Sequence, residues 1–177
     1  MDRIKIFLTN LGRYSESGAL IGEWLKLPVA EDELEAVMKR IGIRDGYEEY
    51  FITDYESSIA NLEIDEFASV SEVNELARQL EELADWDYEK FCAVIEAESP
   101  TSVKAILALL TELDDFDLIP EVEDEADLGE YYAEECCILN GLPEVVQRYF
   151  DFAAYGRDIH LEGHGIFTSW GYVEDNR

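Results

Sequence analysis

The chain has 177 residues, 47% of them hydrophobic and 12% aromatic, and a formal net charge of −29 from 42 acids against 13 bases. That apolar content excludes a disordered acidic tail, which lacks the residues for a core. The charge excludes direct binding to nucleic acid or to an anionic membrane, both of which need a basic face.

The first third alternates. "RIKIFL" sets Ile4, Ile6 and Leu8 on one face and Arg3, Lys5 and Phe7 on the other, the period of a strand. "NLGRYSESGALIGE" reads as a Gly/Ser-containing loop and "GEWLKLP" as a second strand stopped by Pro28. "EDELEAVMKRIGI" spaces Leu34, Val37, Met38 and Ile41 as a helix face, with acids first, Lys39 and Arg40 last and Gly42 beyond. "YEEYFITDYE" reads as a third strand, giving a β-β-α-β unit with an antiparallel sheet.

From residue 61 helix takes over. Ser69 and Glu72 have the spacing of a capping box. Val73, Leu76, Ala77, Leu80, Leu83 and Ala84 form one stripe through "SEVNELARQLEELAD". "DYEKFCAVIEA" places Phe91, Val94 and Ile95 on one face, and Ser99-Pro100 ends it. The apolar centre of "TSVKAILALLTEL" implies burial between neighbours. "DLGEYYAEECCIL" is a further helix, ending at Asn140-Gly141, and "LPEVVQRYFDFAAY" another, with Pro143 in its first turn and Gly156 at its end. "DIHLEG" and "GIFTSWGYVE" read as short strands.

The expected class is therefore α+β, in three consecutive small domains: 1–61 with strands and a helix, 62–103 helical, and 104–177 mixed. Acids outnumber bases in all three, by 12 to 7, 12 to 2 and 18 to 4, so the surplus lies on folded elements and not on a tail. No run reaches the roughly 18 apolar residues of a membrane span. The start "MDRIKIFLTNLGRY" has no cleavage pattern after it, so a cytoplasmic protein is expected. The odd set of Cys92, Cys136 and Cys137 is expected as small buried hydrophobes.

Catalytic and metal chemistry find little purchase. "HLEGH" spaces His160 and His164 as two ligands would be spaced on a helix, but Gly163 and Gly165 argue against that helix. An EF-hand counted from Asp115 puts Pro120 where glycine is required. There is no G-x-S-x-G, P-loop or G-x-G-x-x-G. Carboxylates are so many that no pair stands out as acid and base. No cofactor, metal or enzymatic activity is expected.

The charge pattern itself is the signal. In "EVNELARQLEELADWDYE", Glu72, Glu75, Glu81, Glu82, Asp85, Asp87 and Glu89 face the single arginine Arg78, and only Lys90 and Lys104 follow as lysines. Like charges at i,i+4 cost a helix roughly 0.2–0.5 kcal/mol per pair, so such spacing serves something other than the helix. Carboxylates on neighbouring helical turns lie about 5–6 Å apart, and helices side by side approach the density of duplex phosphate, one charge per about 1.7 Å of axis. The net charge of two chains would match about 100 Å of duplex. The carboxylates expected to imitate phosphate are Glu63, Asp65, Glu66, Glu72, Glu75, Glu81, Glu82, Asp85, Asp87, Glu89, Glu112, Asp114, Asp115, Asp117, Glu121, Glu123, Asp124 and Glu125. Two rival readings predict other properties: an acidic chaperone or binding module for some other basic protein, and a salt-adapted enzyme that loosens at low salt.

"FLTNLGRYSESGALIGEWLKLP", "YEEYFITDYE", "DLGEYYAEE" and "YFDFAAYGRDIHLEG", in that order, resemble the ArdA antirestriction proteins of mobile genetic elements. The resemblance implies an elongated homodimer, joined through the C-terminal domain, that mimics DNA. Such a dimer occupies the DNA-binding groove of type I restriction–modification enzymes. It also implies an antirestriction motif at Asp127, Leu128, Gly129, Glu130, Tyr131, Tyr132, Ala133, Glu134 and Glu135, shared between target and dimer contact. There Leu128, Tyr132 and Cys136 are expected on a buried face, with Glu130, Glu134 and Glu135 outside it. Family members are shorter, so "WGYVEDNR" is expected as an extension.

Overall fold

Alternating apolar residues in "IKIFLTN" build the first sheet. The computed structural model describes residues 4–43 and 49–177. The leading residues of the expected strands "RIKIFL" and "YEEYFITDYE" lie outside that range. The chain divides into two units, Met1–Tyr88 with Ser99–Leu110, and Glu89–Glu98 with Thr111–Arg177.

In the first unit β1 (Ile4–Asn10) lies between β2 (Gly22–Leu27) and β3 (Tyr50–Ser57), antiparallel to both. Ile4, Ile6 and Leu8 are fully buried on one face, with Leu27 opposite Ile4 and Leu25 opposite Ile6. A bulge at Phe7/Leu8 shifts β3, so that Phe7 opposes Asp54 and Leu8 opposes Ile52. The extra residue, Thr53, turns its hydroxyl to that of Thr9 at 2.8 Å. Helix α2 (Glu31–Arg40) keeps acids in its first turn and Lys39 and Arg40 in its last, as the macrodipole favours. Its Arg40 grips Glu23 of β2 through two bonds of 2.9 and 2.7 Å.

The expected loop after β1 is instead a helix, α1 (Leu11–Ser17). Asn10 makes it: its Oδ1 accepts from the Arg13 N–H at 2.9 Å while its Nδ2 donates to the Ile41 carbonyl at 3.2 Å. Gly18, at φ 69°, closes the far end. The sheet expectation otherwise holds, with this helix added between β1 and β2.

Helix α3 (Val70–Glu82) buries Val70, Val73, Leu76, Ala77 and Leu80. The expected stripe stops short, because Leu83 turns to extended geometry and Ala84 is exposed. Ser69 sits at the N-cap without a side-chain bond, so the capping box does not form. Asn74 of α3 instead accepts from the Val29 N–H at 2.7 Å and donates to the Val29 carbonyl at 2.9 Å. Helix α4 (Asp85–Glu98) contributes its first turn to this unit and the rest to the second. Helix α5 (Val103–Thr111) buries Val103, Ile106 and Leu109 but exposes Lys104 and Ala108, so it covers one face and is not enclosed all round.

In the second unit five consecutive residues of α4, Phe91–Ile95, are buried, a fuller enclosure than the three-residue face expected. A 3₁₀ turn (Leu113–Asp115) leads into β4 (Phe116–Ile119), a strand the sequence reading did not find. The expected strand "GIFTSWGYVE" is two strands, β5 (Ile166–Thr168) and β6 (Gly171–Asp175), and β6 lies between β4 and β5, antiparallel to both. Gly171 makes the turn at φ 129°, and a Cβ there would fall 2.3 Å from the Ile119 carbonyl oxygen. The expected "LPEVVQRYFDFAAY" helix divides into α7 (Glu144–Arg148) and α8 (Phe152–Glu162). The expected strand "DIHLEG" is the end of α8, which Asp151 starts by accepting from the Ala154 N–H at 3.0 Å. Gly156 therefore lies within a helix and does not end one. The core joins Ile119, Val122, Leu128 and Tyr172, with Tyr132, Ile159 and Phe167 packed on it. The described residues hold eight helices and two small antiparallel sheets, an α+β fold.

Arg177 closes the second sheet. Its guanidinium lies over the Phe116 ring at 4.5 Å and bonds Asp175, Glu98 and Glu112 at 2.8–3.1 Å. The Arg177 hydrogen bonds hold the Asp175 carboxyl down at about 2, against roughly 3.9 in an unfolded chain. A carboxyl depressed on folding adds stability above its unfolded pKa and loses it as pH falls through the folded one. Discounted for partial exposure of the pair, Asp175→Asn should cost about 1 kcal/mol at neutral pH. It should also flatten the fall in stability between about pH 4 and pH 2, read by urea unfolding across that range.

Candidate protein-binding surface

None of the carboxylates expected to imitate phosphate is buried. Their backbones are fixed by apolar neighbours. Glu63, Asp65 and Glu66 alternate with buried Leu62, Ile64 and Ala68, and the Glu66 carbonyl accepts from the Ile52 N–H of β3 at 2.8 Å. On α3, Glu72, Glu81 and Glu82 lie exposed and Glu75 half-buried, opposite the apolar stripe. On α4, Asp85 and Glu89 are exposed and Asp87 half-buried. In the second unit Glu112, Asp114, Asp115, Asp117, Glu121, Glu123 and Asp124 are exposed and Glu125 half-buried.

Several of these groups already have partners. Arg78 bonds Glu75 at 2.6 and 3.0 Å and Glu82 at 2.8 Å, and hydrogen bonds from Arg78 and then Gln79 lower the Glu75 pKa. Asp65 accepts from the Phe67 N–H, and Asp117 from Asn176. Asp124 caps α6 (Glu125–Glu135), accepting from the Ala126 and Asp127 N–H groups at 2.8 and 3.1 Å. Glu112 belongs to the Arg177 cluster. Among the described residues, the carboxylates of Glu63, Glu66, Glu72, Glu81, Asp85, Asp87, Glu89, Asp114, Asp115, Glu121, Glu123 and Glu125 make no hydrogen bond or ion pair, and neither do those of Glu130, Glu134 and Glu135.

Helix α6 carries the segment that resembles the antirestriction motif. Leu128, Gly129 and Ala133 are buried, Tyr132 is half-buried, and Glu130, Tyr131, Glu134 and Glu135 are exposed. Asp127, half-buried, accepts from the Glu123 N–H at 3.1 Å. Tyr132 donates to Glu174 of β6 at 2.5 Å, and burial followed by that carboxylate raises its pKa, so it keeps its proton. Tyr131 meets Tyr132 edge-on at 5.3 Å. The expected third member of the buried face, Cys136, is exposed, as is Cys137. The helix ends at Glu135 and Cys137 adopts φ 53°, turning the chain away, so only Cys92 matches the buried-cysteine expectation.

The seam between α6 and α8 is made of backbone. A Cβ on Gly129 would fall 1.9 Å from the Phe152 carbonyl oxygen, and one on Gly156 would fall 1.8 Å from that of Glu125. Sequence reasoning placed Gly129 in a motif and Gly156 at a helix end. Neither reading found that the two glycines meet, although both occupy positions where a helix former would otherwise stand.

Sequence reasoning also missed a run of exposed apolar residues. From Glu134 to Tyr149 every residue is exposed except half-buried Leu139, and Ile138, Leu142, Val145, Val146 and Tyr149 lie within it. The available signal was a helix too short to bury its own apolar side chains. His160 lies on α8 with its Nδ1 3.2 Å from the Tyr172 hydroxyl, part of an aromatic cluster with Phe167. No group of three or more His, Cys, Asp or Glu among the described residues is arranged to hold a metal ion. A cleft of about 600 Å³ in the first unit is lined in part by the Lys5–Glu56 and Arg40–Glu23 pairs.

Overpacking costs about 1–3 kcal/mol where side chains can yield, and more where backbone cannot. Gly129→Ala and Gly156→Ala should each lower stability by about 3 kcal/mol or more. Glu130→Gln, on the exposed side of the same helix, should stay within about 0.5 kcal/mol. Chemical denaturation followed by far-UV circular dichroism measures all three.

No curated protein matches the chain. The family model of the antirestriction protein ArdA matches residues 6–174, a span that runs from β1 through the motif helix into β6. Most of the end expected as an extension, "WGYVEDNR", falls inside it and forms the central strand of the second sheet. The chain belongs to the ArdA antirestriction protein family.

Proposed function

We propose that this protein blocks restriction by mimicking DNA: as an acidic homodimer it occupies the DNA-binding groove of a type I restriction–modification enzyme and competes with the duplex. Family membership supports the antirestriction role. The observation that carries the mimicry is the stretch between Lys104 and Arg148. It contains thirteen carboxylates and no base, and none of the thirteen is buried.

A groove that neutralises phosphates with Lys and Arg gains affinity by releasing counterions. A fixed array of carboxylates offers it a comparable exchange. The contacts are numerous, individually weak and screened by salt. Inhibition is therefore occlusion, with no covalent step and no cofactor, and it takes place in the cytoplasm, where the enzyme meets incoming DNA. The division of the chain at 61 and 103 into three small domains belongs to the same proposal.

The homodimer reading draws its support from the exposed apolar run of Ile138, Leu142, Val145, Val146 and Tyr149. Residues of this kind on a free surface mark an interaction site. Val145→Asp with Val146→Asp should convert the protein to monomer, as measured by sedimentation velocity.

Titration against a matched DNA duplex on a purified type I enzyme tests the mimicry. Any one exposed Glu→Gln change should alter the inhibition constant by less than about threefold. Replacing a dozen carboxylates between Glu112 and Glu135 should weaken it by more than about a hundredfold. A single change that abolished inhibition while leaving the fold and the dimer intact would contradict a distributed array.

A further inference from the structure

The sheet of the first unit has one covered edge and one open edge. On β3 the Ile52 N–H donates to the Glu66 carbonyl at 2.8 Å. On β2 the Asn10 N–H donates to the Ile21 carbonyl at 2.9 Å, which fixes the phase of the β1–β2 ladder. Ile6 with Leu25 and Leu8 with Glu23 are then the bonded pairs, and Gly22, Trp24 and Lys26 turn their main-chain groups away from β1. Among the described residues, the main-chain groups of Gly22 and Trp24 make no hydrogen bond on that side. Beyond the strand Asn74 holds both main-chain groups of Val29, so the open stretch stops there. The cleft of about 600 Å³ is bounded by Trp24, Leu25 and Lys26 of β2 and by Val37 and Arg40 of α2. Unpaired main-chain groups beside a cleft suit an extended strand, whose backbone supplies affinity and whose alternate side chains supply selectivity.

An added strand continues the rows of side chains that cross the sheet. One row is Asp54, Phe7 and Trp24, in which the two rings meet edge-on at 5.4 Å and Trp24 is 42% exposed. The next is Glu56, Lys5 and Lys26, in which Glu56 bonds Lys5 at 2.6 Å and Lys26 faces a like charge. Like charges directly opposite destabilise a strand pair, while opposite charges and aromatic pairs stabilise it. An acid placed opposite Lys26 stands to it as Glu56 stands to Lys5. An aromatic residue two positions away extends the row of Phe7 and Trp24. The residue between them points to the side of buried Leu25, where an apolar side chain fits. Residues 1–61 hold seven of the thirteen bases, so an incoming acid meets its weakest opposition in this part of the chain. A second β2 does not meet these terms. Its one carboxylate, Glu23, lies on the other face of the strand from Lys26 and cannot stand opposite it.

We propose that the open edge of β2 is a strand-addition site for an extended peptide segment of a partner protein, with an acid, an apolar residue and an aromatic residue in succession. That order, read from the N-terminus, is the one for an antiparallel strand; a parallel strand reverses it. The site is separate from the carboxylate array and does not depend on the mimicry.

The test is an NMR titration of the full ¹⁵N-labelled chain with two short peptides, one centred on Glu-Val-Tyr and one on Tyr-Val-Glu. One of them should slow hydrogen exchange at the Trp24 amide by about tenfold or more at saturation. The Leu25 amide, already paired with Ile6, should change little. Lys26→Glu should weaken that peptide about tenfold, and a peptide with lysine in place of its glutamate should recover the loss. Trp24→Pro removes the outward N–H without touching the β1 ladder, as an edge strand tolerates, and should abolish binding. Trp24→Val keeps that N–H and should still bind, more weakly than the parent. Circular dichroism checks the fold of each variant. Neither peptide slowing the Trp24 amide overturns the proposal, and so does a Trp24→Pro variant that binds as well as Trp24→Val. Binding unaffected by Lys26→Glu overturns the acid. A Trp24 amide that becomes protected with rising concentration of the chain alone shows a second copy on this edge, and overturns the partner peptide.

Discussion

The contact between Gly129 and Gly156 governs the second unit. Two helices approach until backbone touches backbone, which only residues without a Cβ permit, since either Cβ would sit within 2 Å of a carbonyl oxygen. That approach carries Leu128 and Ala133 into the core and brings Tyr132 to Glu174. It also settles the direction of the opposite face, where Glu130 and Glu134 lie exposed. A packing requirement thus decides where charge is displayed. The segment that resembles the antirestriction motif hides Leu128, Gly129 and Ala133 while it shows Glu130, Tyr131, Glu134 and Glu135.

Self-repulsion in a chain of net charge −29 demands that cohesion come from elsewhere. In the first unit it comes from the buried face of Ile4, Ile6 and Leu8 and from α3, which packs near β2 and whose five buried apolar residues leave its acids outside. In the second, a run of five buried residues in α4 and the cluster around Tyr172 serve the same end. Ion pairing contributes at few places. Arg78 draws Glu75 and Glu82 together on α3, and Arg177 collects three acids beside Phe116. Further pairs, Lys5–Glu56, Arg40–Glu23 and Arg148–Glu144, lie at the surface and add little.

How much of this was legible follows from where the information lay. Strands β1 and β2 and helices α2 and α3 could be read because alternation or helical spacing coincides there with burial. Helix α1 could not: its seven residues include Gly12, Ser15 and Ser17, none of the seven is buried, and it depends on Asn10 reaching a carbonyl thirty-one positions away. Strand β4 is four residues flanked by acids and pairs with a strand near the chain's end, so no local pattern announces it. The end of α8 was misread as a strand because Ile159 and Leu161 alternate, while Phe152, Tyr155, Gly156 and Ile159 carry the true spacing. In the site, the acids were legible by count alone. Which of them are already held by Arg78, Asn176, Arg177 or a helix cap required coordinates. The exposed run around α7 carries no signal of its own in the sequence, since Val145 and Val146 would suit a buried face equally well.

Asn74 gives the first unit a mechanical property. One side-chain amide grips both backbone groups of Val29, so α3 cannot creep along its own axis without breaking two bonds together. Phosphates on a duplex recur at fixed pitch, and an enzyme that tracks DNA is in effect reading a ruler. On the proposed mimicry, a helix pinned against sliding would keep its graduations in place, with the cost of aligning them met during folding, before any encounter.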